Sequence, residues 1–337
     1  MKHWGRLIPC YRAGMKRCPV CGHRDNCSTW EYNHNAIFCR RVVSDRPGAG
    51  GWTHILDGEA PEERPALRVV KPQPVEAKAD RYILHTVYET ILRRLFLLPE
   101  HKDNLLSRGL DMEAIERGMF RSTPTEEEAE EIVREIVGSC EPVGVPGFYF
   151  DGRWRLVKMP SGFLIPIRDR AGLIQGLQVR RDYLMHAKDN RYAWVSSKND
   201  IKNRYPRGTS PCAPVHFQNP ERIIETGRAV VTEGVLKGFV SSYYLSPSEG
   251  GIICLASVSC FQDNFALHLK EAFPSLHSIS IAFDRDWQQK REVKGQLHRL
   301  MRVLKSQEFN VSIYEWDTQE KGLDDYLVAE ARERAAA

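Results

Sequence analysis

Long apolar runs are missing from this 337-residue chain: no stretch approaches the roughly 20 consecutive apolar residues that cross a bilayer. The polar opening MKHWGRLIPC also lacks the apolar centre of a secretory signal. Membrane insertion and export are therefore excluded as expectations, and a cytoplasmic protein is expected. A GxxxxGK(S/T) phosphate loop is missing too, so no motor built on one is expected here. Net charge is only +4, which leaves no global excess of one sign. The first sixty residues are short of apolar runs and need a staple to fold. What remains is ordinary for a globular chain of two or three domains, with 42% hydrophobic and 27% charged residues.

The nine cysteines are unevenly placed, with four of them inside residues 18–39. In a cytoplasmic chain that pattern favours metal or buried thiols over disulfides. CPVCG at 18–22 puts two thiolates three residues apart around a tight turn, the shape of a zinc knuckle. Cys39 follows Cys21 after seventeen residues, and CSTWEYNHNAIFC between them reads as a hairpin turning at Asn33–Asn35. That hairpin returns Cys39 to the knuckle and brings Cys27 near it. A closed zinc site of Cys18, Cys21 and Cys39 then takes its fourth ligand from Cys27, from His54 in GGWTHIL, or from His23. Cys140, Cys212, Cys254 and Cys260 are scattered and read as structural thiols.

Composition changes along the chain mark four segments: a zinc-binding ribbon at 1–60, a Pro-rich charged linker at 61–80, a mixed α+β segment at 81–220 and an α/β segment at 221–337. RYILHTVYETILRRLFLL has helical spacing, and PEHKDNLLSRGLDMEAIERGMF reads as two short helices joined at Gly109. FYFDGRWRLVK carries a hairpin signal at Asp151-Gly152, and GFLIPIRDRAGLIQGLQVRR reads strand, turn, strand. From 229 onward AVVTEG, GIICLAS, SISIAFD and NVSIYEW alternate with helical segments, which predicts a parallel sheet flanked by helices. Functional residues of such sheets gather at the carboxyl ends of the strands.

Acids sit at those ends. Glu233 closes AVVTEG, Asp284 and Asp286 follow SISIAF, and Asp324 and Asp325 follow the last strand in KGLDDYL. Strand alternation puts positions 284 and 286 on one side, where two carboxylates repel unless a cation sits between them. A hard, oxygen-ligated Mg²⁺ or Mn²⁺ suits the set. Residues 151–210 also hold thirteen Lys/Arg against five Asp/Glu, a local excess that points to a polyanion.

The order strand-Glu-Gly, strand-Asp-x-Asp, downstream Asp resembles the toprim domain shared by DnaG-type primases, topoisomerases and some nucleases. GFLIPIRDRAGLIQGLQVRR, RYAWVSSKN at 191–199 and LLSRGLDMEAIERGMF resemble consecutive parts of the DnaG-type primase core, and the cysteine knuckle resembles the zinc ribbon that precedes it. The resemblance covers most of residues 18–330, in matching order, and is closest to the variant primases of phages and mobile elements. Three positions depart from the family: Lys237 stands where a second acid is usual, Val42 where the fourth zinc ligand is usual, and Leu323-Asp324-Asp325 where Asp-x-Asp is usual.

The resemblance implies a DNA primase, a nucleotidyltransferase that makes short RNA primers on single-stranded DNA from ribonucleoside triphosphates. It implies catalytic Glu233, Asp284, Asp286 and Asp325, with Asp324 a further candidate ligand of Mg²⁺ or Mn²⁺. Arg168, Arg170, Arg180, Arg181, Arg191, Lys198 and Lys237 are the expected contacts to template and triphosphate. Tyr192 and Trp194 are candidates either for stacking on bases or for packing in the core. The zinc module, with Arg17, Arg24, Arg40 and Arg41, is expected to hold single-stranded template. An unwinding partner is implied, expected on a separate chain, with a portion missing from this one as the alternative. A toprim nuclease and a non-catalytic nucleic-acid-binding replication module are the competing readings; a topoisomerase would need a strand-passage domain for which these residues leave no room.

Overall fold

The computed structural model describes residues 4–48, 50–56, 76–186, 189–199 and 204–336. These fall into two compact units, Met1–Val75 with Asn199–Pro206, and Glu76–Lys198 with Arg207–Ala337.

The first unit is built on a small antiparallel sheet. Its strands are β1 (Leu7–Pro9), β2 (Ser28–Trp30), β3 (Asn33–Cys39), β4 (Pro47–Gly48) and β5 (Gly51–Ile55), in the spatial order β1-β2-β3-β5-β4. The β2–β3 hairpin is present, but Trp30 pairs with Asn33, so the chain turns at Glu31-Tyr32 and not at Asn33–Asn35. Asn33 joins the ladder, and its side chain accepts the backbone N–H of Asn35. The core is small: Ile37, Cys10, Cys18, Cys27 and Cys39 are buried together. So few apolar groups leave the unit dependent on a cross-link of some kind.

The linker expected at 61–80 lies outside the described residues as far as position 75. Its last five residues belong to the second unit. Ala79 donates its N–H to the Gly144 carbonyl at 2.9 Å, and the Lys78 ammonium donates to Pro211 O at 3.0 Å. Asp80 caps the first helix by accepting the Tyr82 N–H.

That helix, α1 (Arg81–Arg94), buries Leu84, Val87, Tyr88, Ile91 and Leu92, a stripe of helical period. Then come α2 (Pro99–Ser107) and α3 (Met112–Gly118), joined through Gly109 at φ 95°. β6 (Arg121–Ser122) leads into α4 (Glu126–Ser139), which a Thr125–Glu128 capping box opens. The acidic TEEEAEE stretch is thus the first two turns of a helix, where carboxylates face the positive end of its dipole. β7 (Phe148–Phe150) and β8 (Trp154–Leu156) form the hairpin signalled by Asp151-Gly152. β9 (Gly162–Arg168) and β10 (Ile174–Arg181) pair antiparallel, with β11 (Tyr192–Trp194) and β6 completing the sheet β11-β10-β9-β6.

The remaining elements are β12 (His216–Gln218), α5 (Pro220–Thr226), β13 (Arg228–Glu233), α6 (Val235–Tyr244), β14 (Gly251–Leu255), α7 (Phe265–Ala272), β15 (Ser278–Ala282), α8 (Arg291–Lys305), β16 (Asn310–Ile313) and α9 (Leu323–Ala336). The sheet order is β12-β14-β13-β15-β16; the last four are mutually parallel and β12 runs antiparallel at one edge. β12 therefore belongs to this sheet, although the sequence reading set the boundary after it, at 220.

Alternation within the strands divides the core. Val230, Ile252, Cys254 and Ala282 pack with α6, α9 and the α2–α3 and β9 residues Leu105, Ile115 and Phe163. Ala229, Val231, Ile253, Leu255, Ile279 and Ile281 pack with α5, α7 and α8. The sheet is thus covered on both faces, as the apolar runs implied. Each buried Val, Leu, Ile or Phe among these contributes about 1.5–3 kcal/mol, so charge is tolerated only where the strands end.

Candidate functional site

Cys18, Cys21, Cys27 and Cys39 hold their sulfurs within 4.8 Å of one another. Cys21 and Cys27 Sγ are 3.7 Å apart, and Cys27 and Cys39 Sγ 3.8 Å. Sulfurs at about 2.3 Å from a tetrahedral zinc lie about 3.8 Å apart, so the set fits that ion. The Cys39 thiol is pulled below its ordinary value, chiefly by the hydrogen bond from Cys18, against the effect of burial. Its sulfur also accepts the Arg41 N–H at 3.4 Å, which further favours thiolate. Cys27 brings the fourth sulfur into the cluster. His54 stands outside it, with its Nε2 3.0 Å from the Val42 carbonyl. His23 is similarly turned onto Cys21 O at 3.0 Å. The unit thus carries a closed four-sulfur cluster of structural-zinc type. Beside it Arg41 bonds the Asp25 carboxylate at 2.9 Å and Arg17 the Gly22 carbonyl at 3.3 Å.

In the second unit three loops meet at the carboxyl ends of β13, β15 and β16. Glu233 is the last residue of β13, and Gly234, at φ 85°, turns the chain into α6. β15 stops at Ala282, so Asp284 and Asp286 lie beyond it, and strand alternation does not place them as the sequence reading supposed. Asp284 instead precedes a short 3₁₀ turn, Arg285–Gln288, that contains Asp286. The Arg285 N–H donates to the Lys321 carbonyl at 2.9 Å, docking this turn on the loop before α9. Trp316 Nε1 steadies that loop by donating to Glu320 O at 2.8 Å.

The carboxylates are interleaved with cations. Lys237, in the first turn of α6, places its ammonium in direct contact with Asp284 and 3.9 Å from Glu233. Lys321 spans both aspartates, 3.3 Å from Asp284 and 3.4 Å from Asp286, and Lys290 is 2.6 Å from Asp286. Burial raises the Glu233 carboxyl above its ordinary value, and Lys237 only partly opposes this. Burial would lower Lys237, but the Asp284 carboxylate outweighs it and holds the ammonium. Asp286 falls below its ordinary value because Lys290 and Lys321 overcome desolvation.

Asp324 has a different environment. It is 3% exposed, its Oδ1 has no hydrogen-bond partner, and burial followed by the Asp325 charge raises its carboxyl. Its other oxygen is 3.7 Å from Arg108. Gly322 explains how these acids approach: a Cβ there would lie 2.5 Å from Asp324 Oδ1 and 3.6 Å from both Asp284 Oδ1 and Asp325 Oδ2. Asp324 Oδ1, buried and without a partner, is the oxygen here that calls for a cation, and Asp284 and Asp325 lie near the same glycine without closing to the spacing of three ligands on one ion. The fit is on the Asp284–Asp324–Asp325 side; on the Glu233 side the neutralising charge is Lys237. Among the described residues, only the cysteines bring three or more such ligand atoms within 4.8 Å of one another.

The basic residues expected to form one approach are divided between the two ends of the β9–β10 hairpin. Arg168 and Arg170 flank its turn, where Arg168 donates to Gly172 O and Arg170 to Ala272 O. Arg180 and Arg181 lie at the other end, opposite Phe163 and Gly162, about 20 Å away at roughly 3.3 Å per residue. Arg191 joins them by donating to Arg181 O. Arg180 is close enough to Arg108 for the two charges to repel, which puts this end on the Asp324 side. Lys198 is exposed, and Lys237 is committed to Asp284. Tyr192 and Trp194 are half-buried and pack against the core. Lys290, Lys321, Arg108 and Gly322 were missed from sequence; KGLDDYL held two of them. A cleft of about 480 Å³ beside Asp286 is lined by Arg285, Gln288, Gln289, Gln319 and Lys321. A larger one, about 740 Å³, lies between α4 and the β7–β8 hairpin, with no residue of the acidic set in its wall.

A family described as a domain of unknown function, DUF3854, matches residues 258–334, which include Asp284, Asp286, Asp324 and Asp325. No curated protein matches the chain. Solved structures do. The zinc-binding and RNA polymerase domains of the Aquifex aeolicus primase align with a TM-score of 0.55 at 15% identity, over 77% of this chain and 61% of that one. The RNA polymerase domain of Mycobacterium tuberculosis primase DnaG gives 0.53 at 13% identity, over 76% and 84%. A DnaG primase catalytic domain bound to ssDNA gives 0.52 at 14%, over 76% and 77%. The fold of this chain is that of a DnaG primase catalytic core, with a four-cysteine unit that fits a zinc-binding domain. The chain spans 61% of the Aquifex aeolicus structure it matches. Among the described residues, no helix is long and apolar enough to cross a membrane.

Proposed function

We propose that this protein is a DNA primase of the toprim kind, which makes short RNA primers on single-stranded DNA by metal-dependent nucleotidyl transfer. The observation that carries the reading is the meeting of Asp284, Asp324 and Asp325 around Gly322, with the Asp324 oxygen unpartnered, at the strand ends of a primase-core fold. Asp284, Asp324 and Asp325, with Asp286 beside them, are the residues that would hold Mg²⁺ or Mn²⁺. The chemistry supplied by that ion is a lowered pKa for the attacking 3′-hydroxyl and a counter-charge for the α-phosphate and departing pyrophosphate.

The chain's own groups do the rest. Glu233, whose carboxyl is raised by burial, takes the hydroxyl proton in this reading. Lys290, Lys321 and Arg285 turn to the triphosphate when it enters the cleft beside Asp286. Arg108, Arg180, Arg181 and Arg191 contact template phosphates; Arg168, Arg170 and Lys198 extend that track away from the acids. The zinc unit holds single-stranded template, and the 1–60, 61–80, 81–220 and 221–337 segments act as zinc ribbon, linker, template-binding subdomain and toprim domain. A cytoplasmic setting and a helicase on a separate chain complete the reading.

A second reading, a non-catalytic nucleic-acid-binding module, is favoured by the ammonium groups of Lys237 and Lys321 on the acids. Incubation with single-stranded template, ribonucleotides and Mg²⁺ or Mn²⁺ separates the two. The parent is expected to extend primers, and Asp284→Ala/Asp286→Ala to lose this by at least about a thousandfold. Strand nicking without nucleotides would indicate the toprim nuclease instead, and no product from either assay would leave the binding module.

A further inference from the structure

Resting on that reading of the site, we infer that the Lys237 ammonium is a built-in cation that takes the place of one divalent ion, so that the centre binds a single Mg²⁺ or Mn²⁺, on the Gly322 side. Two-ion phosphoryl-transfer sites place their metals about 3.5–4 Å apart, with carboxylates shared between them. Here Asp284 is the shared group. Its Oδ1 both meets Lys237 and is the Asp284 oxygen nearest Gly322, 3.6 Å from where a Cβ there would stand, with Asp324 Oδ1 and Asp325 Oδ2 at 2.5 and 3.6 Å from the same point. Glu233, on the other flank of Lys237, has its charge met by the same ammonium at 3.9 Å.

The three lysines are not equivalent. The side chains of Lys290 and Lys321 are 54% and 58% exposed and reach the aspartates from the rim. They leave by rotating into water, at little cost, when an ion or a phosphate arrives. The Lys237 side chain is 24% exposed and rises from the first turns of α6, whose neighbours Leu236 and Val240 are fully buried. Withdrawing it would leave Asp284, itself 8% exposed, without that partner. The unpartnered oxygen belongs to Asp324, beside Gly322, and that is where a further positive charge is called for.

The test is a count of bound Mn²⁺ on the full, zinc-loaded chain by electron paramagnetic resonance titration. The parent is expected to bind one ion, Asp324→Asn to bind it at least about tenfold more weakly, and Lys237→Glu to bind two. Lys237→Met removes the charge without adding a ligand, and is expected to keep one ion and bind it several-fold more tightly. Unfolding temperature and zinc content identify variants that fold as the parent does; if Lys237→Glu is not among them, Lys237→Met decides. Two ions on the parent, none, or one on a folded Lys237→Glu would overturn the inference, as would an unchanged affinity in Lys237→Met. Primer synthesis by a parent holding two ions would overturn this inference alone, whereas one bound ion without primer synthesis would remove the primase reading and leave the inference standing.

Discussion

Gly322 and Cys27 each control the composition of a site through size or chemistry alone. A methyl at 322 would press on Asp324 Oδ1 from 2.5 Å, so Gly322→Ala is expected to weaken Mn²⁺ binding about tenfold or more with little loss of unfolding temperature. At the cysteines, Cys27→Ser is expected to reduce zinc content well below one per chain, while His54→Ala keeps it, as metal analysis would show. The cysteine site was legible from spacing because the knuckle and its return strand are local; only the fourth ligand needed the hairpin register. The acids were legible as residues but not as an arrangement. Asp284 and Asp286 were expected to share a side by strand alternation, yet the strand ends at Ala282 and a 3₁₀ turn intervenes. Arg108 and Lys321 reach the same acids from distant loops, and no local pattern announces such partners.

Elements, more than single residues, were readable. The parallel strands are short apolar runs bounded by Gly, Ser or acids, and each helix between them shows a buried stripe, so type and order follow from pattern. α4 shows the converse: a run of glutamates read only as charge is a capped helix, since Thr125 and Glu128 satisfy each other's backbone N–H groups. Thr125→Ala is expected to cost about 1 kcal/mol, or about 2–4 °C in thermal unfolding. β12 carries a pH signature of its own. His216 is fully enclosed; burial, reinforced by Arg168, takes it from 6.5 down to about 3. Its Nδ1 accepts the Arg168 N–H at 2.9 Å. The unfolded chain therefore binds a proton that the folded chain refuses between those values, so stability is full above 6.5 and is lost as pH falls through that window. Between about pH 7 and pH 5, His216→Gln is expected to show a smaller fall in unfolding temperature than the parent.

At the scale of the molecule, the core that joins Leu105, Phe163 and Ile165 to Val230, Phe239 and Leu327 holds the β9–β10 hairpin and the parallel sheet in one unit. That continuity brings Arg108 and Asp324 together and fixes Arg180 on their side. It also separates basic residues that the sequence presents as one block, because a hairpin carries its two ends to opposite places. The central claim is that carboxylates remote in the chain converge on a divalent ion. Anomalous diffraction from a crystal soaked in Mn²⁺ tests it most directly. The account predicts one peak about 2.1 Å from oxygens of Asp284, Asp324 or Asp325, beside Gly322, with Lys321 moved off Asp284 and Lys237 in place. A map with no peak among these side chains, and Lys321 still bridging Asp284 and Asp286, would contradict it.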